Sequence, residues 1–332
     1  MPITMKDIAR MAGVSVVTVS RALNNKPDIN QGTKDSIIQI AKDLDYTPHG
    51  LARSLITRKT NTLGIIIPNT EDSFYAAVVD GIGNESRERE YSVILCSSHS
   101  DPDEELRMLR LLREKRVDGM LVYPTQEDDR YIDVLRHSPI PFVFLNRHTD
   151  ALECDYVIND NIHGAFSAVD ELIRKGYYQI IYICARPDAS SGKERIAGCK
   201  AAFRKHDLDS RNLRIMTCEE TIQSCYDLVK GIIKDTSGKP DALFLWDDRL
   251  AIGAIKALLE ENLSIPEDMA VVGYDDIEIS KFLYPSLTTV RQPTYQIGGT
   301  ATRILIDKLE SQDFAGPQRI VLKPELVVRE TT

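Results

Sequence analysis

Between Thr4 and Asn24 the chain reads Thr-Met-Lys-Asp-Ile-Ala-Arg-Met-Ala-Gly-Val-Ser-Val-Val-Thr-Val-Ser-Arg-Ala-Leu-Asn, two short helical patterns broken at a glycine. Thr4 is an N-cap residue, and Asp7 three positions on suits the positive start of a helix. Ile8, Met11 and Ala12 then share one face at helical spacing. Gly13 can take the positive φ at which that helix must stop. The turn is Gly13-Val14-Ser15, and Ser15 caps a second helix expected over Val16–Leu23. In it Val19, Ala22 and Leu23 face inward, while Val16, Val17, Thr18 and Arg21 lie on or near the other side. Asn30 can cap a third helix carrying Ile37, Ile38, Ala41 and Leu44 at core spacing, and Tyr46-Thr47-Pro48 ends it. Such a pattern is either a tight corner of a larger helical core or a free-standing helix-turn-helix headpiece, and three capped helices in so short a stretch favour the headpiece.

Charge separates this segment from the rest. Residues 1–60 hold nine Lys/Arg against five Asp/Glu, a balance of +4, within a chain of 41 against 50. The remainder holds 32 against 45, a balance of −13. A basic module on an acidic body places nucleic acid at the amino end only, with the second helix as the candidate recognition helix.

The chain has 332 residues, 42% of them hydrophobic, enough for a headpiece and one or two sizeable domains. Its amino terminus lacks the apolar run of a secretory signal, and no uncharged apolar stretch approaches the ~18 residues of a membrane span, so a cytoplasmic protein without a membrane partner is expected. Cys96, Cys154, Cys184, Cys199, Cys218 and Cys225 show no C-x-x-C pairing and read as buried thiols. His49, His99, His137, His148, His163 and His206 are scattered without ligand spacing. No G-x-S-x-G, H-E-x-x-H or P-loop is present, so no enzyme, metal or cofactor is expected.

After residue 60 short apolar runs alternate with helical stretches. Leu63–Ile67, Val93–Ser97, Gly119–Tyr123 and Phe142–Leu145 are separated by stretches such as Tyr75–Glu88 and Glu104–Lys115. A second set has Ile180–Cys184, Ala242–Trp246 and Ala270–Gly273 as strands, with Gly164–Lys175, Arg195–Lys205 and Arg249–Glu261 as helices. That alternation predicts two doubly wound α/β lobes with parallel sheets. Ligands bind beyond the carboxyl ends of such strands. Phe74 and Tyr75, Asn146 and Arg147, Asp247 and Asp248, and Asp275 and Asp276 occupy those places. Arg195 is expected at a helix start after the loop Pro187–Gly192, and Trp246 in the strand core.

Met5–Asn24, Tyr46–Pro48 and Ala52–Leu55 together resemble the lactose-repressor (LacI/GalR) family of bacterial transcription regulators. The resemblance continues through Gly64–Pro68, Tyr91–Leu95, Arg116–Gly119, Arg195–Gly198, Pro266–Asp276, Pro285–Gln292 and Pro324–Arg329, and so spans essentially the whole chain. It implies a headpiece over 1–47 and a hinge over 48–60. It further implies a periplasmic-binding-protein-like body, with an N-terminal lobe of 61–160 plus 291–320 and a C-terminal lobe of 161–290 plus 321–332. The chain then crosses between lobes near Asp160, Val290 and Ile320.

The resemblance also implies roles. Val16, Val17 and Arg21 match base-reading positions, chemistry that suits guanine O6/N7 and thymine methyl groups. Ser15, Thr18 and Ser20 look like phosphate contacts, and Thr4 and Asn24 join them as DNA-contacting candidates. Residues 49–57 resemble a hinge helix in which Leu55 wedges into the minor groove; the other reading of Leu55 is an ordinary linker residue. His49-Gly50 departs from the family there, and a helical glycine costs about 1 kcal/mol.

In the cleft, Arg195, Asp275 and Phe74 match effector-contacting positions most directly, and Asp160, Asp247 and Gln292 less so, with Tyr75 and Asn146 beside them. Carboxylates, an arginine and a ring suit a sugar-like effector, but Asp275 and Asp276 could instead cap a helix and Arg195 form a structural ion pair. Asp247 stands where the family most often has asparagine. A homodimer on pseudo-palindromic DNA is expected, with no heptad tail for a tetramer. A purine effector or a protein corepressor remains the alternative. A periplasmic solute-binding protein or an effector-free architectural protein would lack either the headpiece or the ligand response.

Overall fold

The computed structural model describes residues 3–23, 26–46, 59–125, 129–235, 239–311 and 316–332. The chain divides into two compact units, Met1–Thr60 and Asn61–Thr332.

In the first unit α1 (Met5–Ala12), α2 (Val16–Leu23) and α3 (Gln31–Asp43) pack around Ile8, Val19, Ala22, Ile37, Ala41 and Tyr46. Thr4 donates from its backbone N–H and its hydroxyl to the Asp7 carboxylate, at 3.0 and 2.6 Å. Gly13 ends α1 at φ +65°, and Ser15 Oγ accepts the Thr18 N–H at 3.1 Å to start α2. The Asn30 side chain caps α3 through Gly32 N–H. Met11 departs from expectation: it is 61% exposed, while Ala9 is buried. The buried arc of α1 runs through Ile8, Ala9 and Ala12, which leaves Met11 beyond its edge.

The second unit holds two α/β lobes. The first sheet, with strands in the order β11-β5-β4-β3-β1-β2, comprises β1 (Thr62–Ile67), β2 (Ser92–Ser97), β3 (Gly119–Val122), β4 (Phe142–Leu145), β5 (Asp155–Asn159) and β11 (Arg319–Leu322), all parallel. Its helices are α4 (Ser73–Glu88), α5 (Pro102–Glu114), α6 (Asp129–Arg136) and α11 (Thr294–Glu310). The second sheet, ordered β12-β10-β9-β8-β6-β7, comprises β6 (Ile180–Cys184), β7 (Leu213–Thr217), β8 (Ala242–Leu245), β9 (Ala270–Asp275), β10 (Thr288–Arg291) and β12 (Glu325–Val327). Its helices are α7 (Asn161–Arg174), α8 (Ser190–Lys205), α9 (Ile222–Lys234) and α10 (Asp248–Glu260). Among the described strands only the edge strand β12 runs antiparallel, against β10.

Central strands such as β1, β6 and β8 are continuous apolar runs because helices cover both faces of each sheet. The edge strand β7 alternates buried and exposed positions, as a strand with one covered face does. The chain passes between the lobes after β5, after β10 and between β11 and β12. Among the described residues no helix is long and apolar enough to cross a membrane.

Helices α4 and α11 touch backbone to backbone where two glycines meet. A Cβ on Gly81 would lie 2.1 Å from the Tyr295 carbonyl oxygen, and one on Gly298 would lie 2.1 Å from that of Val78. Gly298→Ala must therefore push the helices apart, at a cost of about 1–3 kcal/mol. A thermal melt of the full chain is expected to show a lower Tm. An unchanged Tm would mean that the pair separates without loss of packing.

Candidate functional site

Parallel strands deliver their carboxyl ends to a cleft between the lobes, and short helical caps aim side chains into it. Asp72 accepts the Phe74 N–H at 2.9 Å and so starts α4 beside the end of β1. This sets Phe74 and Tyr75 edge to face, with ring centroids 5.1 Å apart. Tyr123, just past β3, stacks edgewise on both, at 5.1 Å from Tyr75 and 6.3 Å from Phe74. Behind this aromatic wall, buried Arg147 lies 5.1 Å from the Tyr123 ring centre and donates to the Pro124 carbonyl at 2.8 Å.

The facing wall is built on Arg195. Its guanidinium lies 3.5 Å from the ring centre of Tyr274 and 4.5 Å from that of Trp246. Nη1 donates to the Trp246 carbonyl at 2.6 Å, and Nε to Asn161 Oδ1 at 3.0 Å. Burial opposes its charge, but Tyr274, Tyr182 and Asp275 favour it more strongly, and its pKa is raised. Asp247 ends the β8 connection by capping α10 through the Leu250 N–H at 2.7 Å. Asp275, the last residue of β9, sits at φ +113°, where a side chain is strained, and accepts from Gln292 Nε2 at 2.5 Å. Burial pushes the Asp247 carboxyl up to about 8, and pushes that of Asp275 well above the usual carboxylate range.

Asp72, Phe74, Tyr75, Tyr123, Arg195, Glu220, Trp246, Asp247, Asp275 and Gln292 together line a small, partly open space. Of the expected cleft residues, Phe74, Tyr75, Arg195, Asp247, Asp275 and Gln292 are among them. Asn146 is buried beneath, donating to Gln292 Oε1 at 3.2 Å and accepting from the Asn159 N–H. Asp160 caps α7 through His163 N–H and does not line the space.

Three expectations need correction. Arg195 is in the second turn of α8 rather than at its start, because the helix begins at Ser190. Trp246 lies past the end of β8, so its ring is packed on the core and also forms part of the cleft wall. Asp276 does not cap a helix; it pairs with Arg291 at 2.7 Å and Arg329 at 2.5 Å, tying together the segments at the ends of β9, β10 and β12. Arg195 makes no ion pair among the described residues, in contrast to the alternative weighed for it.

Asp72, Tyr123 and Glu220 were missed from sequence. Tyr123 stands at a strand's carboxyl end, the signal that picked out its neighbours. Glu220 follows β7, which does not read as a strand, and Asp72 precedes the residues that drew attention.

On the headpiece, Val16 and Val17 are 39% and 65% exposed, and Ser15 is exposed, with Thr18 and Ser20 half-buried. Arg21 is half-exposed and ion-paired with Asp28. Asn24 and Leu55, with the hinge segment 49–57, lie outside the described residues.

The comparisons with known proteins agree with this architecture. Residues 4–49 match the family of bacterial regulatory proteins of the lacI type, and residues 169–332 match the periplasmic binding protein-like domain. The HTH-type transcriptional regulator RegA of Clostridium saccharobutylicum is 33% identical over 336 aligned residues, covering 100% of both chains. A Lac repressor structure bound to ONPG superposes with a TM-score of 0.88 at 25% identity, covering 100% of both chains. A complex of the transcriptional regulator CelR with cellobiose gives 0.75 at 28%, covering 99% of this chain and 100% of that one.

A buried aspartate with a raised pKa stabilises the fold only while protonated. Its contribution is fully present below the unfolded value near 4 and is lost as pH rises through about 8. Asp247→Asn keeps the cap acceptor and removes that loss. The variant should therefore melt above the parent at pH 8, by a margin of a few degrees that shrinks toward pH 5. A margin independent of pH would show that Asp247 is ionised without strain. The helix-turn-helix unit, the two α/β lobes and the full-length relatives together place this chain in the LacI family of DNA-binding transcriptional regulators, and not among enzymes.

Proposed function

We propose that this regulator is a homodimeric repressor that reads a pseudo-palindromic operator and responds to a sugar-like effector in the cleft. The observation that carries the effector reading is the Arg195 guanidinium held between Tyr274 and Trp246, facing Phe74 and Tyr75 across a set of carboxylates. Carboxylates accept from vicinal hydroxyls, arginine donates in a fixed fork, and ring faces cover the apolar side of a sugar. The similar CelR structure holds cellobiose, and the similar Lac repressor structure holds ONPG. Asn146 acts beneath these groups by fixing Gln292, and Asp160 through the start of α7.

On DNA, Val16, Val17 and Arg21 read bases, while Ser15, Thr18 and Ser20 hold phosphate. Thr4 acts mainly through its cap on α1. Asn24 and the Leu55 wedge complete the assignment by resemblance alone. Engaging a base requires Arg21 to leave Asp28, an exchange that costs little because exposed ion pairs are worth only about 0–1 kcal/mol.

A single headpiece reads a half-site, so a second copy is needed for a palindrome. Ile279, Phe282 and Tyr284 offer it a surface, since Phe282 is 68% and Tyr284 90% exposed in one short segment. Phe282→Asp with Tyr284→Asp should convert the dimer to monomers in analytical ultracentrifugation. Retention of the dimer would move the interface elsewhere.

Selection of bound sequences from a random DNA pool tests the DNA side. An inverted repeat is the expected product, and no enriched motif would overturn the reading. Arg21→Ala should then weaken binding to the selected site by about 1–3 kcal/mol while leaving random-sequence DNA nearly unaffected. Equal loss on both would make Arg21 a phosphate contact.

A further inference from the structure

Two of the six cysteines meet at the corner between β7 and α9. Cys218 directly follows β7 and is half-buried, while Cys225 lies in the first turn of α9 with its side chain in the core of the second lobe. Local hydrogen bonds fold the corner back on itself. Thr221 caps α9 by accepting the Ser224 N–H at 3.1 Å, and its carbonyl accepts the Cys225 N–H at 3.2 Å. The Glu219 N–H donates to Ser224 Oγ at 3.1 Å. Inside this turn the Cys225 thiol donates a hydrogen bond to the Cys218 sulfur, and the Ser224 hydroxyl donates another.

These contacts single out Cys218. The hydrogen bond from Cys225, with that from Ser224, outweighs burial and the nearby Glu219 and Glu220, and holds its pKa below the usual thiol value. Cys225 is raised, as the donor of that bond and as a buried group. Burial raises Cys96, Cys154, Cys184 and Cys199 as well. The thiolate is the form that attacks an oxidant, so Cys218 joins access to reactivity and has a second thiol already in contact.

The same corner supplies part of the cleft wall. Glu220, two residues beyond Cys218, lines the cleft, accepts from the Trp246 indole N–H at 3.3 Å and faces Arg186 at 3.9 Å. We propose that Cys218 and Cys225 are an oxidisable dithiol, a modification site whose disulfide resets the Glu220 wall of the cleft. The oxidant is a hydroperoxide. The Cys218 thiolate attacks one peroxide oxygen, the O–O bond breaks, and the leaving hydroxide takes up the proton that Cys218 lost, giving water and a sulfenic acid. Cys225 then attacks the Cys218 sulfur: the S–S bond forms, the S–O bond breaks, and hydroxide leaves with the Cys225 proton as a second water. The two thiols lose two electrons and the peroxide gains them. Closing the sulfurs from hydrogen-bond contact to about 2.05 Å draws Cys218 toward α9 and shifts Glu220 against Trp246.

The test treats the full chain with hydrogen peroxide, counts free thiols after denaturation, maps the bridge by mass spectrometry and follows the emission of Trp246, the single tryptophan. Free thiols should fall from six to four with a Cys218–Cys225 bridge, Trp246 emission should shift, and dithiothreitol should reverse both. Cys218→Ser, at the half-buried position, should lose the bridge and the shift together. Cys225→Ser should stop at a sulfenic acid on Cys218 that dimedone traps. Six thiols remaining in the parent, or a bridge between any other pair, overturns the site. A bridge that leaves Trp246 emission unchanged, or a shift of equal size in Cys218→Ser, overturns the reset of the wall. No effector enters the measurement, so its result is independent of the sugar reading.

Discussion

Arg195 is the charge around which the cleft is organised. A buried guanidinium is costly unless its donors and faces are satisfied, and among the described residues no carboxylate within ion-pair distance does so. Stacking on Tyr274 and Trp246, the Trp246 carbonyl and Asn161 Oδ1 take that role. Each of these partners is held in turn. Asn161 donates to Glu194 at 2.8 Å, and the Tyr274 hydroxyl accepts from Asn159 at 2.7 Å. Asn159 ends β5 in the first lobe, while Asn161 opens α7 in the second, so the arginine's supports run across the place where the chain changes lobes. Lysine, with a point charge and no planar face, could not fill this position.

The lobes are also joined by polar contacts at the cleft's margins. Arg186 of the second lobe donates to the Thr125 carbonyl of the first at 2.8 Å. His148 of the first meets Glu194 of the second at 2.8 Å, and Arg249 reaches across to Asp72 at 3.7 Å. Contacts of this kind are either made or broken, and so can distinguish two settings of the lobes. On the proposed reading of the cleft as the effector site, a ligand that bridges Asp247 and Asp275 on one side and the rings of Phe74 and Tyr75 on the other would favour the setting in which they are made.

The headpiece was legible nearly residue by residue, because caps and a positive-φ glycine are local signals: Thr4 with Asp7, Gly13, Ser15 and Asn30 all act within four positions of themselves. The two lobes were legible from alternation, since central strands covered on both faces are uninterrupted apolar runs. Edge elements were not. β7 and β11 carry polar residues on their open faces, and β12 is three residues long. The residues of the cleft at strand ends could be picked out by the rule that ligands sit there, but Glu220 was lost with its strand. The Arg21–Asp28 pair and the stacking of Arg195 are spatial matches between segments, and no periodicity records them.

The proposed control by a cleft ligand requires that the cleft and the headpiece be thermodynamically linked. The most direct test is a pair of titrations: operator binding with and without the cleft ligand, and ligand binding with and without operator. Linkage requires the ligand to change operator affinity and the operator to change ligand affinity by the same factor, on the order of 5–150-fold. Operator affinity that is identical with the cleft saturated and with no ligand added would contradict it, leaving a DNA-binding protein whose body senses nothing.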